Sequence, residues 1–361
     1  MTSRRQFLAG LAAASIAPIR GWAAAGAPDY LAAGLFPDES FRLAGLSVEG
    51  DILFDVPLPA RGHAAAAHPT ESLAVAFARR PGTFAVVIDC AGGTERIRLQ
   101  APEGHHFYGH GVFSADGTRF FATENKYETG EGRISVWDAK TFERLGEFSS
   151  GGIGPHDMRV MPDGQTLVIA NGGIETHPET GRTKLNLPVM RPNLSYVSLK
   201  GGLLEQMELP SALHKNSIRH LAVRGDGLVG FAMQWQGNQT EHPPLLGLHR
   251  MGRDPVLLSA PAANQRHLQG YAGSVAFSTD GATIAITCPR GNALHRFDVQ
   301  SANFEDAFAL QDVCGLGAGP DGLIFTTGTG LFGALSQAEP KVLTRSDCQW
   351  DNHLIPIRSF A

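Results

Sequence analysis

One hairpin pattern recurs along the chain and limits what it can fold into. An alternating apolar run ends in Asp-Gly and is followed by a second apolar run, as in "GPHDMRVMPDGQTLVIANGG" from Gly154. The pattern returns in "HGVFSADGTRFFATEN" from His110 and in later stretches from Arg219, Gly273 and Cys314. Asp-Gly supplies the positive φ that a tight turn between two strands needs. Repeated short strands are therefore predicted to dominate the fold.

The spacing of these turns is that of a propeller blade. Successive turn residues are separated by 46, 47, 63, 54 and 41 residues. They are Thr70 in a weaker copy, Asp116, Asp163, Asp226, Asp280 and Asp321. A period of about 40–50 residues with four short strands is typical of a blade. A third strand follows most hairpins, for example "GRISVWDAKT" from Gly132. These copies predict six blades.

The seventh blade is predicted to combine the two ends of the chain. "WDNHLIPI" from Trp350 resembles an inner strand, and "FRLAGLSVEGDILFDVPLP" from Phe41 supplies outer strands. Pairing the two ends closes the ring and removes free sheet edges. The predicted fold is all-β, a seven-bladed β-propeller over residues 41–361, with N- and C-terminal strands closing the last blade. Six or eight blades are the alternatives if the split copy is miscounted.

The first 25 residues are predicted to be an export signal. Arg4 and Arg5 precede an apolar run that ends at Ile19, and small residues follow at 23–27, which is the order of a twin-arginine signal peptide. The alternative is a helix of the mature protein. Residues 26–40 are expected to form a lead-in. We expect a periplasmic monomer without a membrane span, because no later apolar run approaches the ~18 residues of a transmembrane helix.

Composition excludes two classes of protein. Without residues 1–25 the chain carries 27 basic and 35 acidic residues, a net charge of −8, so we expect no nucleic-acid partner. The cysteines are too few and too scattered for a disulfide scaffold. One disulfide is compatible with the periplasm, and the sequence does not indicate which two cysteines would form it. The cysteines are Cys90, Cys288, Cys314 and Cys348.

Five of the seven inner strands begin near a histidine. The innermost strand of each blade lines the central channel, and the strand starts lie opposite the Asp-Gly turns. The histidines are therefore predicted at one mouth of the channel. Converging imidazoles suit copper, iron or zinc, so these residues are the predicted metal ligands, with no cofactor as the alternative. They are His63, His110, His156, His220 and His353.

The histidines do not share one register. His156 precedes its turn aspartate by seven residues, whereas His110 precedes its own by six. A one-residue difference reverses the direction of a strand side chain, so all five converge only if bulges compensate. A histidine at a strand start also hydrogen-bonds the loops of neighbouring blades, which is the structural alternative for each residue.

Further polar residues are predicted to line the same mouth. Some lie at the ends of second strands, and others lie in an insertion between Gly172 and Asn193, which we expect to cover the mouth as a binding loop or lid. The candidate substrate- or partner-binding residues are Glu124, Asn125, Asn171, Glu175, His177, Arg182, Gln234 and Arg290. Glu124 or Glu175 in the ligand set would admit non-haem iron.

The chain resembles a family of exported bacterial propellers, number fifteen-thirteen among the domains of unknown function. The motifs that carry the resemblance include "GHGVFSADG", "GGIGPHDMRVMPDG", "SIRHLAV", "PRGNALHRFDV" and "WDNHL", between about Arg61 and His353. Members tend to be encoded beside imelysin-like and di-haem peroxidase-like periplasmic proteins, which implies periplasmic iron-uptake proteins as partners. More distantly, the chain resembles lactonase-like propellers, nitrous oxide reductase and copper-dependent selenium-binding proteins.

Three functions are compatible with these observations, and whether the chain is an enzyme stays open. The first is a periplasmic metal-binding propeller that acts in iron or copper handling. The second is a non-catalytic binding or scaffold propeller of a metal-uptake system, with residues 172–193 contacting the partner. The third is a lactonase-like hydrolase that uses Arg290, His156 and Glu124. We rank the third last, because no nucleophile motif supports it.

Overall fold

Seven four-stranded antiparallel sheets surround a central channel, which confirms the predicted seven-bladed β-propeller. The computed structural model describes residues 21–78, 84–181, 183–336 and 339–357. Residues 1–20 of the predicted export signal lie outside the described residues. Gly21–Ala25 form a 3-10 helix, and the indole Nε1 of Trp22 donates to the carbonyl of His68 at 2.8 Å.

Blades 1 to 6 follow one another along the chain, and in each the first strand is the innermost. Blade 1 consists of β4 (Gly62–Ala67), β5 (Leu73–Ala78), β6 (Ala85–Asp89) and β7 (Thr94–Leu99). Blade 2 consists of β8 (His105–Phe113), β9 (Arg119–Lys126), β10 (Glu131–Asp138) and β11 (Arg144–Ser149). Blade 3 consists of β12 (Pro155–Val160), β13 (Thr166–Asn171), β14 (Asn193–Ser198) and β15 (Leu203–Glu208). Blade 4 consists of β16 (Asn216–Val223), β17 (Val229–Trp235), β18 (Leu246–His249) and β19 (Val256–Leu258). Blade 5 consists of β20 (Ser274–Phe277), β21 (Thr283–Cys288), β22 (Ala293–Asp298) and β23 (Phe304–Ala309). Blade 6 consists of β24 (Val313–Gly319), β25 (Gly322–Thr327), β26 (Leu331–Leu335) and β27 (Lys341–Arg345).

Blade 7 joins the two ends of the chain. Its strands, from the channel outwards, are β28 (Gln349–Pro356), β1 (Tyr30–Leu35), β2 (Phe41–Leu46) and β3 (Ile52–Pro57). β1 lies in the segment expected to be a lead-in, so the N-terminus supplies three strands rather than two. Its sequence "YLAAGL" is almost wholly buried and lacks the alternation that identifies a half-exposed strand.

The hydrophobic core lies between neighbouring blades. Between blades 1 and 2, for example, Phe77 and Phe120 stack with ring centroids 6.1 Å apart. The outermost strands are largely exposed, as in β7. The four cysteines are all buried and free, so they form no disulfide in this structure.

Helices are few and short. The described residues contain one α-helix, α1 (Ala262–His267), and further 3-10 helices at Pro178–Thr180, Leu187–Val189 and Ser211–Leu213. No helix in the described part of the chain has the length and apolar character needed to cross a membrane.

Trp350 tests the joint between the two ends of the chain. It is only 4% exposed, and its ring lies edge-on to Phe36 at a centroid distance of 6.3 Å. We expect Trp350→Ala to lower the free energy of unfolding by about 3–5 kcal/mol, because the change leaves a cavity where β28 meets β1. Urea unfolding followed by circular dichroism measures the change.

Leu203→Ala is the matched control. This leucine lies in outer strand β15 and is 56% exposed, so its truncation is expected to change stability by no more than about 0.5 kcal/mol. Equal losses in the two variants would show that the joint is not a major source of stability.

Candidate metal centre

The inner strands that carry the five histidines are all irregular at those residues. Each has more residues than the strand paired with it, which is a β-bulge. The extra residues lie within or beside 63–64, 108–110, 156, 219 and 351–353. A bulge re-aims side chains, so it compensates for the unequal spacing between the histidines and their turns.

All five predicted histidines converge in the channel. Their ring centroids lie between 4.7 Å (His63 to His353) and 6.0 Å (His110 to His220) apart for the pairs in contact. The Nε2 atoms of His63 and His110 are 3.2 Å apart. Ring nitrogens lie within 4.8 Å of one another in two groups, His63/His110/His353 and His110/His156/His220. We call these five residues the histidine cluster.

The histidine cluster lies deeper than the mouth predicted from the sequence. Four of its members are buried, and His63 is half-buried. On the side of the strand starts it borders a cavity of about 510 Å³, here called the vestibule. On the side of the Asp-Gly turns it borders a cavity of about 870 Å³ whose lining includes Val112, Ala222 and Ala276. The cluster therefore lies between two chambers of the channel.

Asp157 orients one member of the cluster. This fully buried carboxylate lies 3.2 Å from Nδ1 of His110 through Oδ1, and its Oδ2 accepts from the backbone N–H of Leu221 at 3.0 Å. Burial alone would raise the pKa of Asp157, but the positive charge of Arg159 and the hydrogen bond from His110 outweigh it and hold that pKa well below its usual range. In its neutral form His110 carries its proton on Nδ1, beside this carboxylate, and directs the lone pair of Nε2 into the cluster.

Arg219 orients a second member. Its guanidinium donates to Nδ1 of His156 at 3.3 Å, although the arginine is only 6% exposed. Neutral His156 therefore carries its proton on Nε2. Burial, and then the positive charge of Arg219, lower the pKa of His156 well below its ordinary value.

His220 and His353, like His156, are held neutral by burial. Burial is the main cause that lowers the pKa of His220 to about 3 and that of His353 well below its ordinary value. Within the described residues, Nδ1 of His220 and Nε2 of His353 are buried without a hydrogen-bond partner. Neutral imidazoles with available lone pairs are the form that binds transition metals.

Glu124 does not line the vestibule, which corrects its predicted position. Its two carboxylate oxygens accept hydrogen bonds from Arg144 at 2.7 and 3.0 Å inside blade 2. It forms a third potential ligand group with His105 and Glu147, but Glu147 is paired with Arg144 and with Arg133. The arginines already neutralise both carboxylates, so this group is a structural ion-pair network.

The two predicted asparagines have structural roles. Nδ2 of Asn125 donates to the carbonyl of Thr176 at 3.0 Å and so anchors the insertion. Fully buried Asn171 joins strands of blade 3, because its amide donates to Asn193 and accepts from Ser150. Neither residue is among those that line the vestibule.

The insertion covers the vestibule as expected, but through residues other than those predicted. Ile174, Thr176 and Lys184 line the vestibule. His177 instead caps the short helix Pro178–Thr180, and half-buried Glu175 is held through its backbone N–H by Asn186. The predicted Arg182 lies outside the described residues.

Gln234 and Arg290 do line the vestibule as predicted. Sequence reasoning missed Asp157 and Arg219, which directly follow and precede a cluster histidine in "PHDMRV" and "SIRHLAV". The available signal was a charged residue beside the histidine in an otherwise apolar inner strand. A bulge brings such a neighbour to the channel side along with the histidine.

The chain belongs to the family described as Protein of unknown function (DUF1513), whose model matches residues 56–357. Its fold is similar to that of Kuenenia stuttgartiensis hydrazine synthase, with a TM-score of 0.62 and 13% sequence identity over 85% of this chain and 89% of that chain. At this identity the similarity shows the fold alone. No curated protein matches the chain significantly.

The metal-free protein is expected to lose stability as the pH falls below about 6.5. In the unfolded chain His156, His220 and His353 take up protons near their ordinary pKa, whereas in the folded chain burial lowers the pKa of all three, to about 3 for His220. Stability is therefore complete above pH 6.5 and is lost on acidification, by roughly 1 kcal/mol per pH unit for each such histidine. Urea unfolding of chelator-treated protein at pH 7, 6 and 5 measures the slope.

His220→Asn is expected to reduce that slope by the share of one histidine, because asparagine does not titrate. The control, His267→Asn, changes an exposed residue outside the cluster and is expected to keep the wild-type slope. A wild-type slope in His220→Asn would mean that burial of this imidazole does not limit acid stability.

Proposed function

We propose that this chain is a periplasmic propeller that binds one transition-metal ion in its histidine cluster and acts in copper or iron handling. The convergence of five imidazoles from five separate blades is the observation that supports it most directly. A histidine with a purely structural role would need only one hydrogen-bond partner on the loop of a neighbouring blade, and it would not need to contact several other imidazoles. Burial lowers the pKa of His156, His220 and His353, so the arrangement favours a ligand that uses neutral imidazole.

His63, His110 and His353 are the preferred ligands. Two nitrogens bound to one tetrahedral ion at 2.0–2.1 Å are separated by about 3.3–3.4 Å. The observed 3.2 Å between the Nε2 atoms of His63 and His110 is close to that separation. A ring nitrogen of His353 lies within 4.8 Å of ring nitrogens of both, and Nε2 of His353 is buried without a hydrogen-bond partner in the described chain. An ion bound between these rings would take the place of the hydrogen bond between the Nε2 atoms of His63 and His110, and it would give Nε2 of His353 a partner.

The second group is less suited to hold the ion. Arg219 places the proton of His156 on Nε2 and adds a positive charge beside it. His156 is therefore better placed to donate a hydrogen bond into the channel than to coordinate. His220 belongs to this second group, and its Nδ1 has no hydrogen-bond partner among the described residues.

The donor set favours copper or zinc over iron. It consists of imidazoles, and Asp157, the carboxylate that contacts the cluster, is engaged with Nδ1 of His110. Glu124, which would have favoured iron, is bound to Arg144. Three imidazoles leave one position open, as in catalytic zinc sites. Copper handling is thus better supported by the donor set, and iron handling by the family resemblance alone.

The periplasmic location and the partners are proposed from the sequence. The twin arginine at Arg4 and Arg5, followed by an apolar run, supports export. The resemblance to propellers encoded beside iron-uptake proteins supports a partner among those proteins. A bound ion acquired in the cytoplasm would travel with the folded chain through such a route.

The scaffold hypothesis is the second candidate. The insertion exposes two large apolar side chains, Leu185 at 46% and Val189 at 73%. Exposed apolar side chains in an insertion that covers a cavity favour contact with a partner protein. The hydrolase hypothesis lacks its constellation, because Arg290 and His156 line the vestibule whereas Glu124 is bound to Arg144.

Protein purified from the periplasm without chelators or a histidine tag is expected to contain about one copper or zinc ion per chain. His110→Ala and His353→Ala are each expected to lower the content at least tenfold, because each removes one of three ligands. Elemental analysis by mass spectrometry gives the stoichiometry, and circular dichroism confirms that the variants are folded.

Two further variants separate ligands from neighbours. His267→Ala, outside the cluster, is expected to retain the ion. Asp157→Asn keeps every imidazole but loses the carboxylate that orients His110, so metal affinity is expected to fall about 10–100-fold. A folded, metal-free wild-type protein that takes up neither added copper nor added zinc would refute the proposal.

A further inference from the structure

The vestibule has a positive lining in a protein with more acidic than basic residues. Lysine and arginine side chains are prominent in its wall, and Glu241 is its only carboxylate among the described residues. The cations are Lys184, Arg219, Arg266 and Arg290. The whole chain, by contrast, has 30 basic and 35 acidic residues. An enclosed cavity lined by one sign of charge concentrates ligands of the opposite sign.

These cations come from different parts of the fold. Lys184 belongs to the insertion of blade 3, Arg219 to inner strand β16 of blade 4, and Arg266 to helix α1. Arg290 follows β21 in blade 5. The positive charge is therefore spread around the wall rather than gathered at one point. Such a wall suits an anion that carries several separated charges better than one compact ion.

Arg290 is held in place on the wall. Its guanidinium carbon lies 4.4 Å from the ring centroid of Tyr271. The hydroxyl of Tyr271 accepts from Nδ2 of Asn352 at 3.2 Å, and its backbone forms a β-bridge with Gln234. The contact with the ring limits the movement of the guanidinium. Its N–H donors lie in one plane, where a carboxylate binds in bidentate fashion.

Arg219 is the deepest of the four cations. It lies 94% buried beside the histidine cluster, and one of its N–H groups donates to His156. Arg219 and Arg290 both line the vestibule, and Arg219 is the more deeply buried of the two. Two arginines at different depths present the N–H donors of two guanidinium groups to separate carboxylate groups of one ligand.

We infer that the vestibule binds a small polycarboxylate, with Arg219 and Arg290 each holding one carboxylate. The cavity of about 510 Å³ is within the usual range for small-molecule sites, and its polar wall includes the Gln234 amide. This site goes beyond the proposed metal function, because the arginines recognise the ligand without an ion. Binding to the metal-free protein therefore tests it independently of the metal.

The test is calorimetric titration of chelator-treated, full-length protein with propane-1,2,3-tricarboxylate, a weak metal chelator, at low ionic strength. We expect saturable binding to one site, weakened about tenfold or more in Arg290→Gln. Arg219→Lys keeps the charge but removes the planar fork, and is expected to weaken binding as well. The uncharged propane-1,2,3-tricarboxamide is expected not to bind.

Arg250→Gln is the matched control. Arg250 pairs with Asp226 at an Asp-Gly turn on the opposite face, so its loss is expected to leave the affinity unchanged. Absence of binding to the wild type, or equal affinity in Arg290→Gln, would overturn the inference. Tighter binding of inorganic phosphate than of the tricarboxylate would also overturn it, because the site would then select a compact anion.

Discussion

Antiparallel pairing between β28 and β1 closes the ring, and the arrangement at the channel axis depends on it. β28 is the innermost strand of blade 7 and packs against the inner strands of blades 1 and 6. It brings His353 to within 4.7 Å of His63, measured between ring centroids, and Asn352 to the vestibule. Closure of the ring and completion of the candidate metal centre are therefore the same structural event.

The histidine cluster lowers the stability of the folded chain unless a bound ligand compensates for it. Bulges interrupt regular pairing in five inner strands, and the buried imidazoles resist protonation. Asp157 and Arg219 act in opposite ways within it, since one directs a lone pair into the channel and the other directs a proton there. A metal ion would bind the lone pair that Asp157 directs into the channel. An anion in the vestibule would accept a hydrogen bond on the side of Arg219.

Much of this was predictable because repeats make equivalent positions comparable. The Asp-Gly period predicted the blades, and the position of the histidines in it predicted their convergence. The apolar β1 was missed because it is buried on both faces and shows no alternation. Bulges cannot be inferred from spacing, so the depth of the cluster and the roles of Asp157 and Arg219 were not predicted. Glu124 was placed at the mouth because it lies at the end of a second strand; its pairing with Arg144 in strand β11, twenty residues away along the chain, could not be inferred from the sequence.

The central claim is that imidazoles of the histidine cluster hold a metal ion. X-ray absorption spectroscopy at the metal edge of copper- or zinc-loaded protein tests it most directly. The account predicts a first shell of nitrogen at about 2.0–2.1 Å, with the multiple-scattering signature of three imidazoles, which His353→Ala reduces to two. A first shell of oxygen alone, unchanged in His353→Ala, would show that the ion binds elsewhere and would contradict the account.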